Sequence, residues 1–221
     1  MHSISSLVLL LASAVAAVPI STVQALTSSK HTCATPLLPT TGAASALPLP
    51  TGTLAYVALG RGIQNYTCSA VGATPVALGA VANLYDATEY AKCSSTAFNN
   101  LPGIAVYTNL SASSSASFMS LKPLGKHFFD ASGTPTFDLS SVSKILYAAK
   151  TGDISPPINS IPGPANTGAV DWLSLTAKST YVSIGLTTVY RVETAGGNSI
   201  NPCTTAGVQS VQYAAQYWFY S

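Results

Sequence analysis

The stretch VQSVQYAAQYWFY, residues 208–220, decides the fold class because its apolar side chains fall at every second position. The residues that share this apolar face are Val211, Tyr213, Ala215, Tyr217 and Phe219. A period of two residues is typical of a β-strand that buries one face against a core. The C-terminal part of the chain is therefore predicted to be a strand.

A second stretch, residues 181–193, alternates most strictly. Its even-numbered residues form a mostly apolar face, whereas Arg191 and Glu193 share the opposite face. The segment TAGGN at 194–198 has the composition of a turn and is predicted to end the strand.

Three more segments alternate in the same way. Residues 54–59 and 63–69 predict two strands around Gly60-Arg61-Gly62, which we interpret as a hairpin turn, and residues 76–84 predict another strand. Only residues 139–150 show helical spacing, as a helix or a 3₁₀ turn. The sequence therefore predicts a mainly β protein, an antiparallel β-sandwich or barrel with long Pro/Gly-rich loops and at most one or two short helices.

The N-terminal segment has the pattern of an export signal. An apolar run at 7–17 ends in small residues, which predicts a signal peptide over 1–17, with an alternative end at 25. The run is too short to span a membrane, since a helical span needs about 20 residues. We expect a Pro/Ser/Thr-rich arm over 18–52, a single β-rich domain over 53–221, and no membrane span in the mature chain.

The composition limits the partners. Charged residues make up 7% of the 221 residues and the net charge is +2, which is too small for a protein that neutralises many phosphates. We therefore expect no nucleic-acid partner. Asn65 and Asn109 each begin an acceptor triplet for N-glycosylation, which agrees with export.

The chain has four cysteines, an even number that predicts two disulfides in an oxidising compartment. They are Cys33, Cys68, Cys93 and Cys203. Three pairings are open at this stage. A metal site is the alternative, but the cysteines are far apart and none forms a CxxC pair, so no metal site is expected.

Several short motifs, taken together and in this order, carry a resemblance to a known family. They are GRGIQNYTC (60–68), GKHF (125–128), VDWL (170–173), VYRVETAGG (189–197), PC (202–203) and YAAQYWFY (213–220). Over about residues 47–221 the chain resembles the family called domain of unknown function 3455, found in secreted fungal proteins and in bacteria. The resemblance implies export and a β-rich domain, and it implies no established activity and no catalytic residues.

Fungal members of that family often bear the label malate dehydrogenase, and residues 54–62 do imitate a dinucleotide site. A strand leads into a G-x-G motif, and Asp86 follows where an acidic ribose ligand is expected. However, Asn65 stands where a third small residue is needed, and residues 66–79 contain two glycines and a proline, which oppose a helix. An NAD-dependent dehydrogenase is therefore disfavoured, and we expect no cofactor.

One set of side chains could carry hydrolytic chemistry. His127 could act as a general base together with Asp130 or Asp138. The alternative, which we favour, is that His127 caps a turn and the two carboxylates lie in solvated loops. The same set is too poor in ligands for a metal site.

A second set could bind a ligand. Asp171 is placed to pair with Arg191 across neighbouring strands, and Arg191 with Glu193 forms either a polar site or a buried ion pair. Trp218 lies opposite the predicted buried face, so we expect it to be exposed, and exposed aromatic rings suit stacking on sugars. Packing in the core is the alternative explanation for the aromatic residues.

The sequence thus predicts a secreted, disulfide-stabilised, glycosylated β-domain that binds without catalysing. Its candidate partners are cell-wall polysaccharide and an extracellular protein. A secreted hydrolase that uses His127, and a structural surface protein or effector, are the alternatives.

Overall fold

A computed structural model describes residues 33–40, 46–110 and 118–221, and its centre is a closed, eight-stranded antiparallel barrel. The strands are β1 (Leu54–Cys68), β2 (Val76–Asp86), β3 (Lys122–Phe129), β4 (Pro135–Leu139), β5 (Lys144–Ile154), β6 (Trp172–Ala177), β7 (Thr188–Gly196) and β8 (Gly207–Tyr220). Each strand pairs with the next one along the chain, and β8 pairs with β1. The predicted mainly β, antiparallel class is confirmed, and of the two predicted architectures the chain adopts the barrel.

Two short helices, α1 (Thr88–Cys93) and α2 (Ser95–Ala105), connect β2 to β3. Asp86 ends β2, and its carboxylate accepts a hydrogen bond of 2.9 Å from the backbone N–H of Thr88, the first residue of α1. On α2, Phe98, Leu101 and Ala105 follow helical spacing and are buried. None of the helices in the described part of the chain has the length and apolarity that a membrane span requires.

Gly60 and Gly62 lie in the middle of β1, so the hairpin turn predicted there is wrong. The strand continues to Cys68, with β2 on one side and β8 on the other. A Cβ on Gly60 would lie 2.4 Å from the ring of Tyr217, and a Cβ on Gly62 would lie 1.9 Å from the carbonyl oxygen of Val81. These glycines therefore allow close packing inside the sheet. Because an antiparallel strand and not a helix follows them, this segment presents no helix N-terminus to a pyrophosphate.

The barrel interior forms the main core. Inward-facing side chains such as Leu84, Phe137, Leu146, Tyr217 and Phe219 are almost completely buried there. Alternation along β8 places the predicted apolar face inside the barrel, as expected from its period.

A second core covers the outer face of β1, β7 and β8. Val57, Trp218 and Tyr190 pack there against the buried side of α2, and Leu47 of the N-terminal arm packs at its edge. The hydroxyl of Tyr190 donates a hydrogen bond of 2.9 Å to the carbonyl of Pro48. Strand β8 is therefore buried on both faces from Tyr213 to Tyr220, and the arm packs against this core through both Leu38 and Leu47.

Two other predicted elements differ from the structure. Residues 139–150 form a 3₁₀ turn (Ser140–Val142) and then strand β5, so only the 3₁₀ part of that prediction is confirmed. The strand predicted over 181–193 begins only at Thr188. The residues predicted to form the signal peptide lie outside the described part of the chain.

The two disulfides predicted from the cysteine count are present, and the structure selects one pairing. Cys33 bonds to Cys93 and joins the arm to the last residue of α1. Cys68 bonds to Cys203 and joins the end of β1 to the segment before β8. The chain is thus cross-linked once outside the barrel and once at its closing strands.

Candidate functional site

A cavity of about 240 Å³ opens into the barrel interior. Its walls are mostly apolar and aromatic, with Phe129, Phe137 and Leu175 among them. Four side chains with polar groups share the lining, namely those of His127, Lys150, Arg191 and Tyr217. An apolar pocket with a few convergent polar groups is the usual form of a small-molecule site.

His127 lies on β3 and is 4% exposed. Its Nδ1 is 3.0 Å from the carbonyl oxygen of Thr136, so in the neutral ring Nδ1–H donates and Nε2 is left as an acceptor. The ring stacks on Phe137 with centroids 4.2 Å apart. Burial lowers the pKa of His127 from 6.5 to about 4, and the positive charge of Arg191 acts in the same direction. The imidazole is therefore neutral at neutral pH.

Arg191 lies on β7 and brings a positive charge to the same cavity. Its Nε and Nη2 donate hydrogen bonds of 3.1 and 2.9 Å to the backbone carbonyl of Asp171. The predicted partnership with Asp171 is present, but it uses the main chain and not the carboxylate. Among the described residues, Arg191 forms no ion pair, whereas Lys150 is paired with Asp153.

Tyr217 and Tyr213 complete the polar part of the interior. Their hydroxyl oxygens are 2.9 Å apart, and both side chains are fully buried. Burial raises the pKa of each phenol, so both hydroxyls stay protonated and neutral. Arg191 is thus the cavity's one cation outside the described ion pairs, and the carboxylate of Asp171 interacts with it only at longer range.

The structure does not bring the predicted hydrolytic set together. Asp130 closes the turn between β3 and β4, where its Oδ1 accepts backbone N–H groups of Ser132 and Thr134 at 2.8 Å. These hydrogen bonds, the one from Thr134 first, lower the pKa of the Asp130 carboxyl. Asp138 follows the inward-facing Phe137, so its side chain starts on the outer face of β4, away from His127.

Trp218 is 2% exposed, so the prediction that it is an exposed aromatic is wrong. Its Nε1 donates a hydrogen bond of 2.9 Å to Gln216, whose amide in turn donates to the carbonyl of Phe98 on α2. The physical reason is that α2 covers the outer face of β8. Alternation within one strand shows which residues share a face, but not what covers that face.

Glu193 and Arg191 do not share a strand face, contrary to prediction. The register of β7 against β8 shifts between Val192 and Ala195, and Glu193 has a φ of 47°. Such a β-bulge turns a side chain out of the regular alternation. Glu193 consequently lines a separate groove beside α2.

The two predicted glycosylation sites differ in environment. Asn109 is exposed at the end of the segment after α2. Asn65 is half-buried on β1, where its Oδ1 accepts a hydrogen bond of 2.7 Å from the hydroxyl of Ser210. Glycosylation at either position stays a prediction.

Sequence reasoning missed the aromatic walls and Lys150 as parts of one cavity. Phe129 and Phe137 flank the predicted His127 and Asp130, but they belong to different strands of a hairpin. Lys150 enters from β5. No local signal joins them, because closure of the barrel determines which strands face each other.

The fold and cavity together define a small, disulfide-stabilised antiparallel β-barrel with an internal pocket. The chain belongs to the family described as protein of unknown function (DUF3455), which matches residues 49–221. No curated protein and no solved structure matches the chain. The geometry of the site is therefore the basis for the function proposed below.

Proposed function

We propose that this chain is a secreted, non-catalytic binding protein that takes a small apolar acid into its barrel cavity. The observation that carries the proposal is Arg191, a guanidinium that faces an apolar cavity without a carboxylate partner among the described residues. A guanidinium that borders an apolar cavity gains from an anionic ligand, because the apolar walls strengthen the attraction between the two charges.

The size of the cavity limits the ligand. An apolar cavity of about 150 Å³ holds benzene. The cavity of about 240 Å³ in this barrel therefore suits a substituted or fused aromatic ring, or a short acyl chain. The stacked rings of His127 and Phe137 provide a flat aromatic wall for it.

The guanidinium of Arg191 determines which polar group the ligand should carry. A guanidinium has five N–H donors in a planar fork that matches a carboxylate. The guanidinium uses Nε and Nη2 for the carbonyl of Asp171 and also hydrogen-bonds the hydroxyl of Tyr217, so a ligand carboxylate would bind beside that hydroxyl. A carboxylate, sulfonate or similar planar acid is the matching group.

The alternatives have weaker support. A hydrolase would need His127 as a base, but its low pKa makes it a weak one, and its orienting partner is the carbonyl of Thr136 and not a carboxylate. Binding of polysaccharide through Trp218 loses its basis because that ring is buried. A structural surface role would not require an open cavity with an unneutralised cation.

Secretion is part of the proposal and rests on separate observations. Residues 1–17 have the pattern of a signal peptide. The two disulfides are of the kind that form and persist in an oxidising compartment. An extracellular or cell-wall location is consistent with both.

The test compares an acid with a neutral ligand of the same shape. Calorimetric titration of the purified chain with 2-naphthoate should give saturable binding, and Arg191→Met should weaken it by about tenfold or more, a loss of about 1.4 kcal/mol. Binding of 2-naphthol should change little in the same variant, because it carries no charge.

Lys126→Met is the matched control, since Lys126 is an exposed cation on the same barrel. It should leave both titrations unchanged. Failure of 2-naphthoate, hexanoate and octanoate to bind, or equal affinity in Arg191→Met, would contradict the proposal.

A further inference from the structure

We propose that a second groove, on the outside of the barrel, binds a hydroxyl-rich ligand of the oligosaccharide class. The groove has a volume of about 360 Å³ and lies between α2 and the Pro/Gly-rich loop at 155–168, with residues 193–195 of β7 also in its lining. It is separate from the barrel cavity and does not depend on the function proposed above.

Glu193 is the central residue of this groove, and the backbone places it there. It occupies a left-handed conformation, with a φ of 47°, inside the bulge of β7. Residues with a Cβ disfavour this conformation, and glycine would fit it better. The bulge therefore turns the side chain of Glu193 out of the regular alternation of β7 and into the groove.

The carboxylate of Glu193 has no internal partner. Within the described chain it forms no hydrogen bond and no ion pair, although the residue is only partly exposed. Burial raises the pKa of this carboxyl, in agreement with its partly exposed position in the groove. A ligand that donates hydrogen bonds would replace the lost water.

The neighbouring amides supply both donors and acceptors. The Oδ1 of Asn99 accepts a hydrogen bond of 3.1 Å from Gln216, which leaves its Nδ2 as a donor. Conversely, the Nδ2 of Asn100 donates at 3.2 Å to the carbonyl of Thr96, which leaves its Oδ1 as an acceptor. Ser160 adds a hydroxyl to the same lining.

The combination of hydrogen-bond donors and acceptors in the groove favours a ligand with hydroxyl groups over a metal ion. A hydroxyl both donates and accepts, so neighbouring hydroxyls of a sugar can satisfy a carboxylate and an amide N–H together. A cation such as Ca²⁺ needs acceptors only, and the amide N–H of Asn99 would oppose it.

The groove also has apolar sides that suit the C–H faces of a sugar ring. Ile104 of α2 and Ile161 of the loop line it and remain 54% and 40% exposed. Pro157 adds a rigid apolar ring to the same lining. A lining that combines exposed apolar side chains with unpaired polar groups suits a ligand that has both apolar and polar faces.

Contacts between the loop and the bulge hold the groove open before a ligand arrives. The backbone N–H of Gly196 donates a hydrogen bond of 2.8 Å to the carbonyl of Ile161. Gly163 packs so closely on Gly196 that a Cβ on it would lie 2.7 Å from the Gly196 Cα. Because the groove is already formed, less of the binding free energy is lost in ordering the loop when a ligand binds.

The experiment is an NMR titration of the ¹⁵N-labelled chain with three probes, namely laminarihexaose, chitohexaose and mannohexaose. We expect at least one probe to give saturable shifts that cluster on Asn99, Asn100 and Ser160. Glu193→Gly and Glu193→Ala should raise the dissociation constant tenfold or more. Glu89→Ala is the matched control, because Glu89 is an exposed glutamate on α1, and it should not change the binding.

Stability and a second ligand separate loss of binding from loss of fold. Glu193→Gly removes backbone strain, so its Tm should equal or exceed that of the unsubstituted chain, and its binding of 2-naphthoate should be unchanged. Absence of shifts with all three probes, shifts confined to other regions, or the same shifts with Ca²⁺ alone would overturn the proposal.

Discussion

At the scale of single residues, two buried tryptophans differ in one hydrogen bond. Trp172 and Trp218 are 1% and 2% exposed. The Nε1 of Trp218 donates to Gln216 at 2.9 Å, whereas the Nε1 of Trp172 has no partner among the described residues. Because an unpaired buried donor costs free energy and a paired one does not, the two indoles contribute differently to stability.

This difference predicts unequal effects of the same substitution. Trp218→Phe leaves the side-chain oxygen of Gln216 without its donor, whereas Trp172→Phe removes a group that had no partner. We expect the free energy of unfolding to fall by about 1–3 kcal/mol more for Trp218→Phe. Urea denaturation measures it, and equal losses would show that the hydrogen bond contributes nothing net.

His127 predicts a pH dependence of stability. Its pKa falls from 6.5 in the unfolded chain to about 4 in the fold, so between these values the unfolded chain binds more protons. Stability is therefore fully present above pH 6.5 and decreases as the pH falls towards 4. The full effect is about 3–4 kcal/mol, since the pKa falls by about 2.5 units and one unit corresponds to about 1.4 kcal/mol.

Thermal unfolding of the wild type and of His127→Phe over this pH range tests the assignment. Loss of the hydrogen bond to Thr136 lowers the Tm of the variant by a similar amount at every pH, whereas loss of the titrating imidazole removes its contribution to the pH dependence. Its Tm should therefore depend less on pH than that of the wild type. Parallel curves for the two proteins would rule out His127 as the titrating group.

At the scale of elements, β1 depends on its two glycines in different ways. A Cβ at Gly62 would meet backbone atoms of β2, with Val81 carbonyl oxygen at 1.9 Å, whereas a Cβ at Gly60 would meet the side chain of Tyr217. A side chain can rotate, but a paired strand cannot move without breaking its hydrogen bonds.

Gly62→Ala should consequently destabilise the barrel more than Gly60→Ala, by about 3 kcal/mol or more against about 1–3 kcal/mol. Because the ring of Tyr217 lines the cavity, Gly60→Ala should also weaken the binding of 2-naphthoate. Denaturation and calorimetry on the two variants separate these effects. A larger loss of stability for Gly60→Ala would contradict the assignment of the two contacts.

The sequence predicts the type of element well where one residue pattern has one meaning. The alternation of β8 and of the second half of 181–193 predicted strands, and strands are present. The turn predicted at Gly60 and Gly62 is wrong because glycine permits both a turn and a close approach between strands, and here it serves the second purpose. Only the pairing of β1 with β2 and β8 decides between these meanings.

The candidate site could be predicted only in part, for a similar reason. His127 and Arg191 were identified as unusual polar residues in a weakly charged chain, but β3 and β7 meet across the barrel only after it closes. Glu193 left its expected face because of a single bulge. Trp218 became buried because α2 covers it, and a short helix gives a weak sequence signal.

At the scale of the whole molecule, closure of the barrel joins the first strand to the last. Strands β1 and β8 pair along nearly their entire length, from Leu54 with Tyr220 to Cys68 with Gly207. Closing so long a segment of chain loses conformational entropy before the contacts between the paired strands form and offset that loss. The Cys68–Cys203 bond spans 135 residues and holds these two strands near each other in the unfolded chain.

The two disulfides should therefore differ in what they stabilise. Replacing Cys68 and Cys203 by alanine should lower the free energy of unfolding by about 2–5 kcal/mol and slow refolding, because barrel closure loses its cross-link. Replacing Cys33 and Cys93 releases the arm from α1, outside the barrel, and should leave the affinity for 2-naphthoate unchanged. Denaturation, refolding kinetics and calorimetry on the two double variants measure these effects. We expect the variant without Cys68 and Cys203 to refold more slowly than the variant without Cys33 and Cys93, because only the first loses the cross-link between the closing strands. The opposite order would mean that docking of the arm, and not barrel closure, limits folding.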